Sequence, residues 1–234
     1  KRSIPKVSIK SFSKYHNNTV HEVIKTKKEV VLFIDEFSNY LDASLAKDAY
    51  DLLHNLGYKI NIVDTLDSGR ALLSKGFLEE AKMHADTNIA FLKDIIDDNI
   101  PLIGIEPSAI LSFKDEYPRL AMDVSSANAI AKNTFLIEEF LASEIQKGVV
   151  KATNFTSEEK NIKIHTHCHQ KALSNQKVTF DILNLPTNYR PTIINSGCCG
   201  MAGSFGYEKE HYEVSMKIGE LKLFPSIRKA PENT

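Results

Sequence analysis

The chain has 234 residues, of which 42% are hydrophobic and 25% charged, and its formal net charge is -1. A chain of this length can bury a sizeable core, and its balanced charge gives no indication of binding to nucleic acid or to an anionic membrane. No apolar run approaches the roughly 20 residues of a membrane span, and the start lacks the apolar core of a signal peptide, so we expect a cytoplasmic protein.

The elements predicted along the chain alternate between strands and helices. Residues 1–28 are polar, basic and without an apolar period, and they are expected to form a linker or arm. The predicted strands, which are apolar and rich in β-branched residues, are 29–35, 58–64, 100–106, 161–167 and 190–195. The predicted helices, with apolar stripes, are 42–57, 76–99, 126–148, 170–185 and 207–224. This alternation predicts an α/β fold with mostly parallel sheets flanked by helices.

The two halves of the chain resemble each other. A shift of 131 residues places Gly69 on Gly200 without gaps, and it also places strand on strand and helix on helix. A match of this length indicates a duplication. We therefore predict two tandem pseudo-symmetric units, residues 29–150 and 151–234, after the arm.

All three cysteines belong to the second copy. In the ungapped alignment, Cys198 and Cys199 fall on Asp67 and Ser68, and Cys168 falls on Phe37. The vicinal pair follows one predicted strand and Cys168 follows the neighbouring one, so the three thiols are expected at the same end of the sheet. An odd number of cysteines is a poor disulfide framework, which favours reduced thiols.

Three converging thiolates suit either zinc or an iron-sulfur cluster. His167 and His169 flank Cys168, but either could join the site only if the strand breaks at Cys168, because side chains alternate along a strand. The glycines around the cysteine pair, Gly197 and Gly200 among them, also permit a phosphate-binding loop. That alternative is weaker, because the loop has neither G-x-G-x-x-G nor Gly-Lys-Ser/Thr.

The motifs "HTHCHQKAL" and "SGCCGMAGSFGYE" resemble the cysteine-rich CCG domain family, which is found in heterodisulfide reductase and in the iron-sulfur subunit of glycolate oxidase. The stretches "FIDEFSNY", "GRALLSKGFLEEAK" and "GIEPSAILSFKDEYPRL" look most like the C-terminal region of fused FAD-linked oxidases that act on D-2-hydroxy acids. The resemblance covers about residues 29–222. It implies a 4Fe-4S or related cluster, or zinc, at Cys168, Cys198 and Cys199.

The chain departs from the family pattern in its first copy. The family's "CCGR" is replaced by "DSGR" at residues 67–70, and its "EPSC" ends here in Ala109, so the first copy is expected to hold no metal. Arg70, Glu106, Asp115 and Glu116 keep their places. We expect the arginine to pair with a carboxylate across the interface between the copies, and the alternative is a role in a site.

The resemblance implies a region that passes electrons from a flavin domain towards an acceptor in an oxidoreductase acting on 2-hydroxy acids such as glycolate or D-lactate. FAD would belong to a separate upstream domain, so this region alone would turn nothing over. The implied partners are flavin and ferredoxin-like domains, with peripheral association with an electron acceptor. The alternative is a non-redox docking module whose cysteines hold zinc or nothing.

Overall fold

The computed structural model describes residues 2–17, 28–64, 66–232 and 234. The predicted arm therefore lies partly outside the described residues, which leave out residues 18–27. Its described part contains a short helix, α1 (Phe12–His16), whose first turn is capped by the Ser11 hydroxyl. Phe12 in this helix is fully buried.

The chain divides into two compact units, which are described separately. One is Lys6–Phe140, and the other is Leu141–Thr234 together with the short segment that ends at Pro5. No helix among the described residues is long and apolar enough to cross a membrane.

The unit Lys6–Phe140 is built on a four-stranded sheet in the order β2-β1-β3-β4. All three strand pairs are parallel. The strands are β1 (Lys28–Phe33), β2 (Tyr58–Val63), β3 (Leu102–Gly104) and β4 (Thr134–Leu136). Val30, Val31, Leu32 and Phe33 of the central strand β1 are fully buried, as its continuous apolar run predicts. The prediction of an α/β fold with parallel strands flanked by helices is confirmed.

Helices connect and flank these strands. They are α2 (Glu36–Tyr40), α3 (Ala43–Asn55), α4 (Arg70–Lys75), α5 (Leu78–Leu92), α6 (Pro107–Ile110), α7 (Tyr117–Leu120), α8 (Val124–Lys132) and α9 (Ile137–Gln146). Two of them begin at carboxylates that follow strands: Asp35 caps α2, and Glu106 caps α6. Pro107 is the first residue of α6, which suits proline because the first helical position needs no N–H donor.

The prediction of one helix over residues 126–148 is wrong. Helix α8 ends at Lys132, strand β4 follows, and α9 begins directly after the strand. Pairing with β3 explains the interruption, because Leu102 lies opposite Thr134 in the parallel ladder. Thr134 is fully buried, so the sheet outweighs the local helical pattern.

The second unit has a two-stranded parallel sheet of β5 (Lys160–Ile164) and β6 (Tyr189–Ile193). Its helices are α10 (Cys168–Leu173), α11 (Gln176–Leu183), α12 (Tyr212–Glu220) and α13 (Leu223–Arg228). Pro191 lies within β6, which is compatible with a strand at a sheet edge. Short 3-10 turns at Phe205–Tyr207 and Lys209–His211 occupy the start of the predicted helix 207–224.

The strand registers correct the ungapped alignment of the two halves. Tyr58 pairs with Lys28 in the first sheet, whereas Tyr189, its aligned counterpart, pairs with Lys160 in the second. The first strands of the two sheets are therefore offset by one further residue relative to their second strands. In this corrected frame Asp35, the cap of α2, corresponds to His167, the cap of α10. Cys168 then corresponds to Glu36, not to Phe37.

Candidate metal centre

The three cysteines lie at one end of the second sheet. Cys168 is the first residue of α10, four residues beyond the end of β5. Cys198 and Cys199 lie in the loop that follows β6. Because β5 and β6 are parallel, both segments leave the sheet at the same edge. All three are free thiols, Cys168 exposed and the vicinal pair half-buried.

The structure brings the Cys168 thiol beside the vicinal pair. Partial burial raises the pKa of Cys168, and the neighbouring Cys198 raises it further. Cys199 acts in the same direction, while the positive charge of Lys171 acts against them. In the part of the chain that the structure describes, no three His, Cys, Asp or Glu side chains are arranged ready to hold a metal ion. Metal binding would therefore draw these sulfurs closer together.

A tight turn orients the Cys198 sulfur. The backbone N–H of Gly200 donates to the Cys198 Sγ at 3.2 Å. Gly200 has φ +86°, a left-handed conformation that favours glycine. An added Cβ would lie 2.2 Å from the Ser215 carbonyl oxygen, so both the conformation and the space require glycine here.

Two basic side chains hold the start of the cysteine loop. Lys171 of α10 donates through Nζ to the carbonyl oxygens of Ser196, at 2.9 Å, and Gly197, at 3.3 Å. His165 lies with its Nδ1 2.7 Å from the Ser196 Oγ. Partial burial lowers the pKa of His165, and nearby Lys171 lowers it further. These contacts tie the loop after β6 to the segment that follows β5.

The two histidines predicted as possible ligands lie at the start of α10. Strand β5 ends at Ile164, so the strand does break before Cys168, the condition under which they could join the site. The Nδ1 of His167 accepts a hydrogen bond from the His169 backbone N–H at 3.2 Å and so caps the helix. The two imidazole rings are stacked with centroids 5.6 Å apart. Their role as ligands stays a prediction.

The matching place in the first unit holds a hydrogen-bonded polar pair. The backbone N–H of Ser68 donates to Glu36 Oε2 at 2.9 Å, and the Ser68 hydroxyl donates to Glu36 Oε1 at 2.7 Å. Glu36 corresponds to Cys168 and Ser68 to Cys199. In the first unit, a hydrogen bond between a carboxylate and a hydroxyl thus occupies the place that the thiols of Cys168 and Cys199 occupy in the second unit.

Further side chains complete this polar pair. The Tyr117 hydroxyl donates to the Ser68 carbonyl at 2.8 Å and accepts from Asn88 Nδ2 at 2.6 Å. Arg70 pairs with Glu116 at 2.5 Å. Both members of this pair belong to the unit Lys6–Phe140, so the expected pairing across the interface between copies is wrong. The pair instead links the first residue of α4 to the residue that precedes α7.

The sequence analysis missed two residues that hold the cysteine loop, His165 and Lys171. His165 lies in the motif "HTHCHQKAL", but no role was assigned to it. No sequence pattern predicts the role of Lys171, because Ser196 and Gly197, which it contacts, are 25 and 26 residues away in the sequence. Such contacts follow from the parallel pairing of β5 with β6 and have no local pattern.

Fold and site together define a parallel α/β protein with a loop site of three thiols. Comparison of the sequence with curated proteins finds dehydrogenases. The chain is 25% identical to one subunit of the anaerobic glycerol-3-phosphate dehydrogenase of Escherichia coli, over 98% of this chain and 57% of the relative. It is 27% identical to the D-2-hydroxyglutarate dehydrogenase of Pantoea ananatis, over 87% of this chain and 19% of the relative. The enzyme of the same name from Pseudomonas putida is 28% identical over 83% of this chain and 18% of the relative.

The chain thus spans just over half the length of the first relative and about a fifth of the second. These relatives support a redox-related subunit or region. No family model matches the chain. No solved structure matches it either.

Proposed function

We propose that the chain is the CCG-type, cysteine-bearing C-terminal region of a flavin-linked oxidoreductase that acts on 2-hydroxy acids. In this proposal Cys168, Cys198 and Cys199 hold an iron-sulfur cluster that carries electrons from the flavin to an acceptor. The observation that carries it is the approach of thiols from the carboxyl ends of two neighbouring parallel strands, with Cys168 beside Cys198.

The donor set fits a thiolate-bound group in its chemistry. Three free thiols lie at one edge of the sheet, and a fourth ligand would come from His167 or His169 or from another segment. When bound, an iron-sulfur cluster supplies one-electron transfer at a potential set by its surroundings. The Gly200 N–H, which donates to the Cys198 sulfur, would stabilise the thiolate form. Lys171 would offset part of the negative charge of the thiolates.

The names of the D-2-hydroxyglutarate dehydrogenases support the substrate class, whereas glycerol-3-phosphate, named for the first relative, is not a 2-hydroxy acid. D-2-hydroxyglutarate is a 2-hydroxy acid, which agrees with the proposed class, while glycolate or D-lactate is a finer choice within it. The first relative is named as a subunit, and in the second this chain matches a fifth of a larger protein. We therefore propose flavin and ferredoxin-like domains as partners and place substrate oxidation on the flavin domain.

A second candidate is a docking module with structural zinc or an empty site. It is favoured by the first unit, where Glu36 and Ser68 form a hydrogen-bonded pair without any sulfur. A unit of this kind folds around its polar pair and needs no metal. In this second candidate, the cysteine-bearing unit likewise folds without an iron-sulfur cluster.

Anaerobic purification followed by metal analysis and a visible spectrum separates the two candidates. Iron and sulfide with broad sulfur-to-iron absorption would support the cluster, and stoichiometric zinc in a colourless protein would exclude it. Cys199→Ser should abolish metal retention. Ser204→Ala, an exposed change in the same loop, should leave it intact. Unchanged metal content in Cys199→Ser would mean that the ligands are wrongly assigned.

A further inference from the structure

The loop that follows the cysteine pair is held by an arginine from the other end of the chain. Arg2 Nη1 donates to the Gly206 carbonyl at 2.8 Å and to the Ser215 hydroxyl at 2.6 Å. Its second amino group lies 3.4 Å from the Met216 sulfur, and its guanidinium lies over the Tyr212 ring at 5.6 Å. All of these residues belong to the same compact unit as the cysteines.

Ser215 passes this contact on to the residue next to Cys199. The Ser215 side chain is fully buried, and its hydroxyl donates its one proton to the Gly200 carbonyl at 2.5 Å. It accepts from Arg2 at the same time. The hydroxyl therefore has a fixed direction, set by the cation on one side and by the glycine carbonyl on the other.

The far end of the loop is held by the same guanidinium. Gly206 is buried, and a Cβ on it would lie 2.7 Å from Arg2 Nη1 and 2.7 Å from the Met201 sulfur. The Gly206 N–H also donates to the Met201 carbonyl at 2.9 Å, which closes the loop on itself. Arg2 thus contacts Gly206 directly and Gly200 through Ser215, and the segment between them is fixed at both ends.

We infer that Arg2 is a positioning residue for the metal centre, acting through Ser215 and Gly200 to fix the direction of Cys198 and Cys199. The inference rests on the proposed metal-binding function. A loop that is already in place loses less conformational freedom when its thiolates capture a metal, so the arginine contact increases the affinity. Cys168 lies on α10, outside these contacts, and is the internal reference.

The test uses Co²⁺ as a spectroscopic probe of thiolate ligation and alkylation of the three thiols in reduced, metal-free protein. In Arg2→Ala we expect Co²⁺ to bind about tenfold more weakly, the lower end of what loss of a supporting contact costs a metal site. Alkylation of Cys198 and Cys199 should accelerate relative to Cys168. Arg2→Lys restores a cationic donor without the planar guanidinium. Its Co²⁺ affinity and its alkylation rates should lie between those of wild type and Arg2→Ala.

Arg190→Ala is the matched control, because Arg190 is an exposed arginine of the same unit that bonds neighbouring carbonyls in strand β6 and the turn before it. It should change neither readout. Equal Co²⁺ affinity and equal relative alkylation rates in wild type and Arg2→Ala would overturn the inference. If Arg2→Ala fails to fold, wild-type behaviour of Arg2→Lys and Ser215→Ala in both assays would overturn it instead.

The two assays also separate this inference from the proposed function. If wild-type protein binds no Co²⁺ through its thiols, the metal-binding proposal fails. The alkylation rates still report on the loop in that case. Faster reaction of Cys198 and Cys199 in Arg2→Ala would then support the positioning role, and an unchanged ratio to Cys168 would refute it.

Discussion

Gly200→Ala tests the packing of the cysteine loop most directly. The left-handed conformation at φ +86° costs a non-glycine residue about 1–2 kcal/mol. The new methyl group would also lie 2.2 Å from the Ser215 carbonyl, a backbone atom that moves only with its helix, and such overpacking costs about 1–3 kcal/mol. We expect a total destabilisation of about 3 kcal/mol in the unit that contains the loop.

Hydrogen exchange of the amides of α12 measures this change, because Ser215 lies in that helix. A loss of about 3 kcal/mol corresponds to exchange roughly a hundredfold faster, at tenfold for every 1.4 kcal/mol. Gly203→Ala is the control for backbone strain alone: its φ is +62°, and none of the described atoms lies within 4 Å of an added Cβ. It should cost about 1 kcal/mol. Equal effects of Gly200→Ala and Gly203→Ala would refute the close approach to Ser215.

Three further predictions concern the first unit. Burial raises the pKa of Asp35 from its ordinary 3.8 to about 6. Between pH 3.8 and about pH 6 the native state therefore keeps a proton that the unfolded state releases. The free energy of unfolding falls by about 3 kcal/mol as the pH rises through this range. Asp35→Asn keeps a capping side chain and should flatten that part of the pH profile measured by denaturant titration; an unchanged profile would contradict the assignment. Tyr117→Phe should cost about 1–3 kcal/mol in the same assay, since it strips the Ser68 carbonyl of a buried donor, whereas a neutral effect would mean that water replaces the hydroxyl. Combined replacement of Glu36, Asp67 and Ser68 by cysteine should create a second Co²⁺ site, and unchanged Co²⁺ stoichiometry would argue against the corrected alignment.

The sequence predicted well those strands that can be recognised from their own run of residues. β1 is a continuous apolar run and is buried along its last four residues. β4 was missed because three residues carry too little periodicity, and only pairing with β3 makes Thr134–Leu136 a strand. Helix α2 was missed for a related reason: its cap, Asp35, looked like the end of a strand.

The position of the candidate site was predictable from the sequence, but the contacts that hold its loop were not. Cys168 and the vicinal pair follow the carboxyl ends of two parallel strands, and this placement follows from the order of the elements alone. Arg2 is separated by 204 residues of sequence from Gly206 and by 213 from Ser215, so no local sequence pattern predicts its contacts with them. The one-residue offset between the halves was likewise invisible to an ungapped alignment, and it moved the partner of Cys168 from Phe37 to Glu36.

The two-stranded sheet of the second unit has a consequence for solubility. Within the described residues, β5 pairs with β6 alone, whereas its counterpart β1 has neighbours on both sides. An unpaired strand edge is a template for pairing with other chains. Lys163, exposed on β5, places a charge on this strand, whereas the Lys160 ammonium lies over the Tyr189 ring of β6 at 5.9 Å. We therefore expect Lys163 to protect the protein from edge-to-edge aggregation, a risk that β1, at the centre of its sheet, does not carry.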